Sequence, residues 1–476
     1  MRQGLHSFVS LKGKNIRIFT EINYYFDLSS TTALASLMVT LMQKILIINY
    51  YWPPSGGPNV QRWLTFSKHL LAHNIQTHVL TVDENQGTFP SMDYSLEAEV
   101  PEEVKVYRTE TREVFSFYKK TVGKGNVPST NLANEPNPNF LQKAARFVRG
   151  NFFIPDPRRG WNRFALPEAR RIIEEENISI IATAGPPHST HLIGRALKRE
   201  NKSLFWIADF HDYWTDSSYM VKFYRTQIAH QIDLKYELST LREADHILNH
   251  CQFGKRRLTA KVPEQNPDKF TVISMGYDTE LFSEHPPKPQ DEFRITFTGT
   301  ITDNMESEVF FEVIKELREA FPGLPLKLYF VGLLAGEVRD LIEKQGLLDV
   351  LEAPGYVSHE EAIAYLYQST ILFLITPNFE GEETHVPGKL YEYLATEKPI
   401  FSISPHKGET AEIIRMNEGG INFERSQKSD MLQTLTEWVK KWQTERTLDL
   451  QNPTKSYQQY ARDKETAVLA KIIQSA

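Results

Sequence analysis

The feature that most constrains this 476-residue chain is an alternation of strand-like and helix-like segments that starts, stops and starts again. Short apolar runs at 44–49, 76–82, 179–183, 204–208, 246–249 and 270–273 read as buried strands. Segments of helical period lie between them, such as 60–72, 167–176 and 189–200. Strands that alternate with helices are joined by right-handed crossovers, so they line up parallel. The pattern stops at His285-Pro286-Pro287-Lys288-Pro289-Gln290, whose prolines make a stiff extended connector. It resumes with strands at 294–298, 326–331 and 371–375 and helices at 306–320 and 337–345. The reading is α/β: two Rossmann-like, doubly wound domains, over 42–285 and 286–452. An amphipathic last helix at 457–473 falls within a terminal segment, 453–476.

Composition narrows the function classes. The formal net charge is −6, which argues against a dedicated nucleic-acid binder. The single cysteine, Cys251, excludes an intramolecular disulfide and a cysteine zinc cage, and it fits a reducing compartment. No uncharged apolar run is long enough to span a bilayer. Residues 27–42 carry a weak signal-peptide pattern, but a buried strand follows at once, leaving little room for cleavage. Met42 is therefore the expected natural start, with 1–41 a leader or mis-assigned extension.

Residues 84–137 lack periodicity and read as a long irregular insertion. Residues 141–171 then interleave cations, among them Lys143, Arg149, Arg158 and Arg159, with Phe147, Phe152, Trp161 and Phe164. Such a mixture suits an anionic membrane surface or a diphosphate, with Arg158, Arg159 and Trp161 the expected membrane or acceptor contacts. A solvated helix with a buried aromatic side gives the same pattern.

Four motifs sit where strands end, the place where parallel sheets hold ligands. Tyr51-Trp52-Pro53-Pro54-Ser55-Gly56-Gly57-Pro58 offers paired glycines that let backbone approach a ligand, though a plain strand-to-helix turn reads the same way. Gly185-Pro186-Pro187-His188-Ser189-Thr190-His191 places His188 at a helix entrance, while His191 reads as structural. Asp209-Phe210-His211-Asp212 brings two carboxylates to a strand end, to orient a hydroxyl or to cap the next element. Thr384-His385-Val386-Pro387-Gly388-Lys389-Leu390-Tyr391-Glu392 starts a helix at Gly388, where a phosphate could take backbone N–H groups and the Lys389 ammonium. Glu392 lies one turn on, where a carboxylate could accept ribose hydroxyls; an exposed helix with a Lys–Glu pair is the plain alternative.

In this order the motifs resemble the retaining glycosyltransferases of family 4, of the GT-B fold. The resemblance covers about residues 43–475 and implies two domains facing a cleft, with acceptor on the first and nucleotide-sugar on the second. It implies a sugar moved with retention to a saccharide or polyprenyl-diphosphate-linked acceptor in cell-surface polysaccharide biosynthesis. It also implies a cytoplasmic enzyme at the inner face of the membrane, and a last helix crossing back to the first domain. No metal or other cofactor is expected. Gly56 and Gly57 match the family's glycine loop at the donor phosphates, and Glu392 matches the second glutamate of its paired motif. The first glutamate's position holds Thr384, and the 299–304 loop, beginning at Gly299, lacks the family's Arg and Lys. Lys389 is then the expected main cation at the diphosphate, with Gly299, Thr384 and Gly388 beside it. His188, Asp209 and Asp212 are the expected catalytic side chains, steering sugar or acceptor.

Three other readings fit parts of the sequence. A metal-dependent hydrolase would use His188, His191, Asp209, His211 and Asp212 as ligands. A GT-B epimerase would release an altered nucleotide-sugar. A non-catalytic partner subunit would explain the missing Glu, Arg and Lys.

Overall fold

A computed structural model describes residues 42–112, 139–282, 291–378, 381–448 and 455–476. The expected leader, 1–41, and the proline connector lie outside the described residues. The first sheet has β1 (Gln43–Ile48), β2 (Ile75–Val82), β3 (Lys105–Thr109), β4 (Ile180–Gly185), β5 (Phe205–Phe210), β6 (His246–Asn249) and β7 (Phe270–Val272). The second has β8 (Phe293–Thr298), β9 (Leu326–Val331), β10 (Leu351–Gly355), β11 (Ile371–Ile375), β12 (Ile400–Ile403) and β13 (Gly420–Phe423). Their orders are β3-β2-β1-β4-β5-β6-β7 and β10-β9-β8-β11-β12-β13, and every pairing is parallel. Each order reverses at a central pair, β1/β4 and β8/β11, which opens a crevice at the strands' carboxyl ends.

The helices are α1 (Pro58–Leu70), α2 (Phe140–Phe152), α3 (Asn162–Glu175), α4 (Ser189–Glu200), α5 (Gln227–Glu243) and α6 (Gln252–Lys261) in the first half. In the second half are α7 (Glu308–Ala320), α8 (Gly336–Lys344), α9 (His359–Tyr367), α10 (Lys389–Ala395), α11 (Glu409–Met416), α12 (Lys428–Glu445) and α13 (Arg462–Gln474). β1 shows why its sequence reads as a continuous apolar run. Ile45, Leu46, Ile47 and Ile48 have no exposed surface, because helices cover both faces of the sheet. Gly332, at φ +127°, ends β9 where a Cβ would lie 2.3 Å from the Gly299 carbonyl oxygen, so only glycine lets these strand ends meet.

Two expectations are corrected. The supposedly irregular 84–137 segment contains β3, whose sequence KVYRT is half exposed at a sheet edge and so lacks an apolar run. Strands β10, β12 and β13 were not read either: β10 is a polar edge strand, and the other two are four residues long. The remainder of the expected insertion, 113–137, lies outside the described residues.

The chain end returns to the first domain. Leu469, Ala470 and Ile473 of α13 share a buried cluster with Val60, Trp63 and Leu64 of α1. Gln43 Nε2 donates to the Ile473 carbonyl at 2.8 Å. A second tie joins the domains: the buried Glu409 carboxylate accepts the Gln252 and Phe253 N–H groups at 2.8 and 2.9 Å, so α11 caps the N-terminus of α6. Among the described residues, no helix is long and apolar enough to cross a membrane.

Candidate active site

Between the two sheets lies a cavity of about 590 Å³, walled by both domains. The first domain contributes loops after β4, β5 and β6; the second contributes the loop from Gly381 to Gly388. The strand-end loops read from sequence therefore converge, but the side chains within them divide sharply.

His188, Asp212, Arg158, Thr384 and Gly388 line the cavity. His188 stacks on Trp214, ring centroids 4.9 Å apart, and its Nε2 donates to the Tyr213 carbonyl at 3.2 Å. Its Nδ1 is buried toward Gly185, where a Cβ would approach within 2.8 Å. Burial lowers its pKa, so a neutral imidazole is held in the wall as a positioning group with no nitrogen open to the cleft. Asp212 is different, for its side chain is more than half exposed. Crowding by protein pushes the carboxyl up, but the hydrogen bond with His211 at 3.2 Å and the neighbouring imidazoles outweigh this and hold it at about 2. It is thus an ionised carboxylate on the cavity floor. His250 stacks on His211 at 5.5 Å and is pushed down to about 3 by burial.

Asp209 does not reach the cavity. It has no exposed surface, and it accepts from Arg62 Nε at 3.0 Å and Trp63 Nε1 at 2.9 Å. Asp209 lies within β5, whereas Asp212 lies past the strand end, so the first points into the helix layer and the second into the cleft. The catalytic expectation for Asp209 is replaced by a buried structural ion pair. His191 is structural as read: its Nδ1 meets Thr183 Oγ1 at 2.9 Å and its ring stacks on Phe210.

Lys389 is also corrected. Its ammonium donates to the Thr298 carbonyl and sits 3.8 Å over the Phe297 ring. Burial pushes it down to about 7, so it is a weak and already committed cation. Its Nζ would lie 2.9 Å from a Cβ on Gly299, so Gly299 leaves room for lysine rather than ligand. Glu392 accepts from His359 Nε2 of α9 at 2.8 Å and does not line the cavity. The Gly56 N–H is spent on the Ser91 carbonyl at 3.1 Å. Gly57, at φ +117°, caps α1, and Pro58 beside it, rather than Gly57, touches the cavity. Thr384 Oγ1 donates to the Gly381 carbonyl at 2.9 Å.

Two of the expected membrane contacts face inward. Trp161 has no exposed surface and donates from Nε1 to Thr109 Oγ1 at 2.8 Å. Arg158 is buried in the cavity wall. Arg159, the exposed one, donates to the Ile154 carbonyl at 2.8 Å and lies over Tyr236.

Sequence reasoning missed Arg257. It projects from α6 of the first domain, with Nη1 3.9 Å from where Gly381 would carry a Cβ. Its guanidinium lies 5.2 Å over the Tyr213 ring and, among the described residues, makes no hydrogen bond or ion pair. A basic helix reading QFGKRRLTAK gives no sign of which cation faces a cleft. The hydrolase ligand set does not assemble: among the described residues no three His, Cys, Asp or Glu side chains are placed to hold a metal.

The geometry agrees with comparisons to known proteins. Residues 128–281 match the model of Glycosyltransferase Family 4, and residues 278–456 match that of Glycosyl transferases group 1. A putative colanic acid biosynthesis glycosyltransferase, WcaL of Escherichia coli K12, is 27% identical over 155 residues, 32% of this chain. The match spans 38% of that relative's length. Two solved structures share the fold over 91% of this chain. A glycosyltransferase from Rickettsia africae has a TM-score of 0.60 at 14% identity, with 98% of its chain covered. HepE of Anabaena, solved with UDP-glucose, has a TM-score of 0.56 at 13% identity, with 100% covered. Two successive glycosyltransferase matches thus lie over two Rossmann-like domains that face one cleft, the arrangement of the GT-B fold.

Proposed function

We propose that the chain moves a sugar from a nucleotide-sugar to a saccharide or lipid-linked acceptor, with retention, in cell-surface polysaccharide biosynthesis. The observation that carries this is a two-domain cleft holding an uncommitted cation, Arg257, and an ionised carboxylate, Asp212, on opposite charge duties. As the bond from the anomeric carbon to the diphosphate breaks, negative charge grows on the diphosphate and positive charge on the sugar ring. Arg257 faces the first charge and Asp212 the second. The acceptor oxygen bonds to the anomeric carbon on the face the diphosphate leaves, and its proton passes to the departing diphosphate oxygen. His188 orients the wall through Tyr213 and Trp214. The relative solved with UDP-glucose and the WcaL similarity support the donor and pathway classes.

A thermal-shift panel of UDP-, GDP-, ADP- and TDP-sugars, with and without chelator, tests the reading on wild type and Arg257→Ala. A ligand at a hundredfold excess over its Kd adds about 2.7 kcal/mol to wild type. Arg257→Ala loses on the order of 10- to 100-fold in nucleoside diphosphate affinity but keeps that for the monophosphate, since a bidentate guanidinium reads the extra phosphate. Anomeric configuration of the product, read by NMR, tests retention. Wild type that responds to none of the four nucleotide classes overturns the proposal.

A further inference from the structure

Helix α2 is turned inside out. Phe140, Leu141, Phe147, Val148 and Phe152 are exposed on one side, with Phe140, Leu141 and Phe152 between 74% and 82% open. The opposite side, carrying Arg146 and Gly150, is buried. A surface helix of a soluble fold places these sides the other way. The helix is not free to roll over. A Cβ on Gly150 would lie 2.4 Å from the Phe223 carbonyl oxygen, so the backbones are pressed together there. Arg225 Nε donates to the Gly150 carbonyl at 2.9 Å, and the Thr226 N–H donates to Asn151 Oδ1 at 2.7 Å.

The apolar side extends onto the neighbouring chain. Tyr224 and, on α5, Ile228 and Ile232 are exposed. Charge on this face has one sign. α2 contains no acidic residue, and Asp233 and Glu237 of α5 are buried, while Lys143, Lys222 and Lys235 are exposed. That is a cationic apolar face on a chain of net charge −6. It also borders the cleft, for Arg149, Gly150, Phe153 and Met220 line the cavity.

We propose that the outward side of α2 together with the start of α5 is a seat for an anionic lipid bilayer, which holds the cleft mouth at the membrane. Aromatic and aliphatic side chains enter the headgroup boundary, and the lysines meet anionic lipid. The seat deepens the transferase reading: it lets a lipid-linked acceptor reach Arg257 and Asp212 without leaving its bilayer.

Flotation of the full chain with vesicles tests it, using phosphatidylcholine alone and phosphatidylcholine mixed with phosphatidylglycerol. Wild type floats with the mixed vesicles and less with the neutral ones, and added salt weakens binding. Leu141→Gln/Phe147→Gln/Phe152→Gln lowers vesicle affinity by about tenfold or more, while the thermal midpoint moves by only a few degrees because Leu141 and Phe152 are mostly open to solvent. Lys143→Glu/Lys235→Glu abolishes the preference for phosphatidylglycerol. Three outcomes overturn the seat: wild type that stays in solution with both vesicles, a triple variant that floats like wild type, or a wild-type dimer that the triple variant disperses. Nucleotide binding, read on the same variants by thermal shift, separates failure of the seat from failure of the transferase reading.

Discussion

Asp209 and Asp212 stand three residues apart and have opposite fates, which shows how little a residue type says about its role. Asp209 ends its course inside β5 with Arg62 across from it, side chains 0% and 1% exposed. Arg62 also donates to the Ile273 and Ser274 carbonyls, so the pair pins α1, β5 and the end of β7 together. Breaking one partner strands a buried guanidinium. Asp209→Ala should therefore cost about 3–5 kcal/mol in a urea unfolding titration. Asp212→Asn should leave stability within about 0.5 kcal/mol, as surface changes do, and strike turnover instead. Equal losses of stability in the two variants would contradict this division.

At the scale of an element, α13 carries a titratable group whose pKa is set by its docking. Burial pushes Glu465 up to about 7, against the hydrogen bonds from Ser274 at 3.0 and 2.5 Å and the charge of Arg62, which pull it down. The folded chain thus holds this proton more tightly than the unfolded chain, where the carboxyl titrates near 4.5. The resulting stability is fully present below the unfolded value and is lost as pH rises through about 7. Buried histidines such as His250 lose stability over the same range in both proteins, so the Glu465 contribution is read as a difference: relative to Glu465→Gln, wild type should gain stability between about pH 8 and pH 5 in thermal melts. An unchanged slope in the variant would place the titration elsewhere. The element's apolar side was legible as an amphipathic run, but its docking on the first domain came from the family resemblance alone, because nothing local distinguishes docking on α1 from docking on the second domain.

Across the whole molecule, the cleft depends on how the two domains are held. Glu409 of the second domain caps α6 of the first, and α6 carries Arg257. Removing that carboxylate leaves two part-buried helix N-terminal N–H donors without their acceptor, the loss of a helix cap worth about 1–2 kcal/mol. Glu409→Ala should open the domains, seen as a larger radius of gyration by small-angle scattering, and should raise the donor KM more than it lowers kcat. A compact variant with wild-type KM would mean that the cap does not govern closure.

The alternation of apolar runs and helical periods determined by itself that the chain makes two parallel-sheet domains, because strands joined by helices return in register on one side. It also marked the loops after β4, β5 and β11 as cleft walls, since parallel strands deliver all their carboxyl ends to one edge. Short or half-exposed strands such as β3, β12 and β13 escaped, having too few buried residues to stand out from turns. Only tertiary structure decided which side chains face the cleft. Lys389 is spent on the Thr298 carbonyl, Glu392 on His359 and Asp209 on Arg62, while Arg257 arrives from the opposite domain. These partners lie between 33 and 147 residues apart along the chain. A charge's availability depends on what else has been folded against it, and spacing along a sequence carries no record of that.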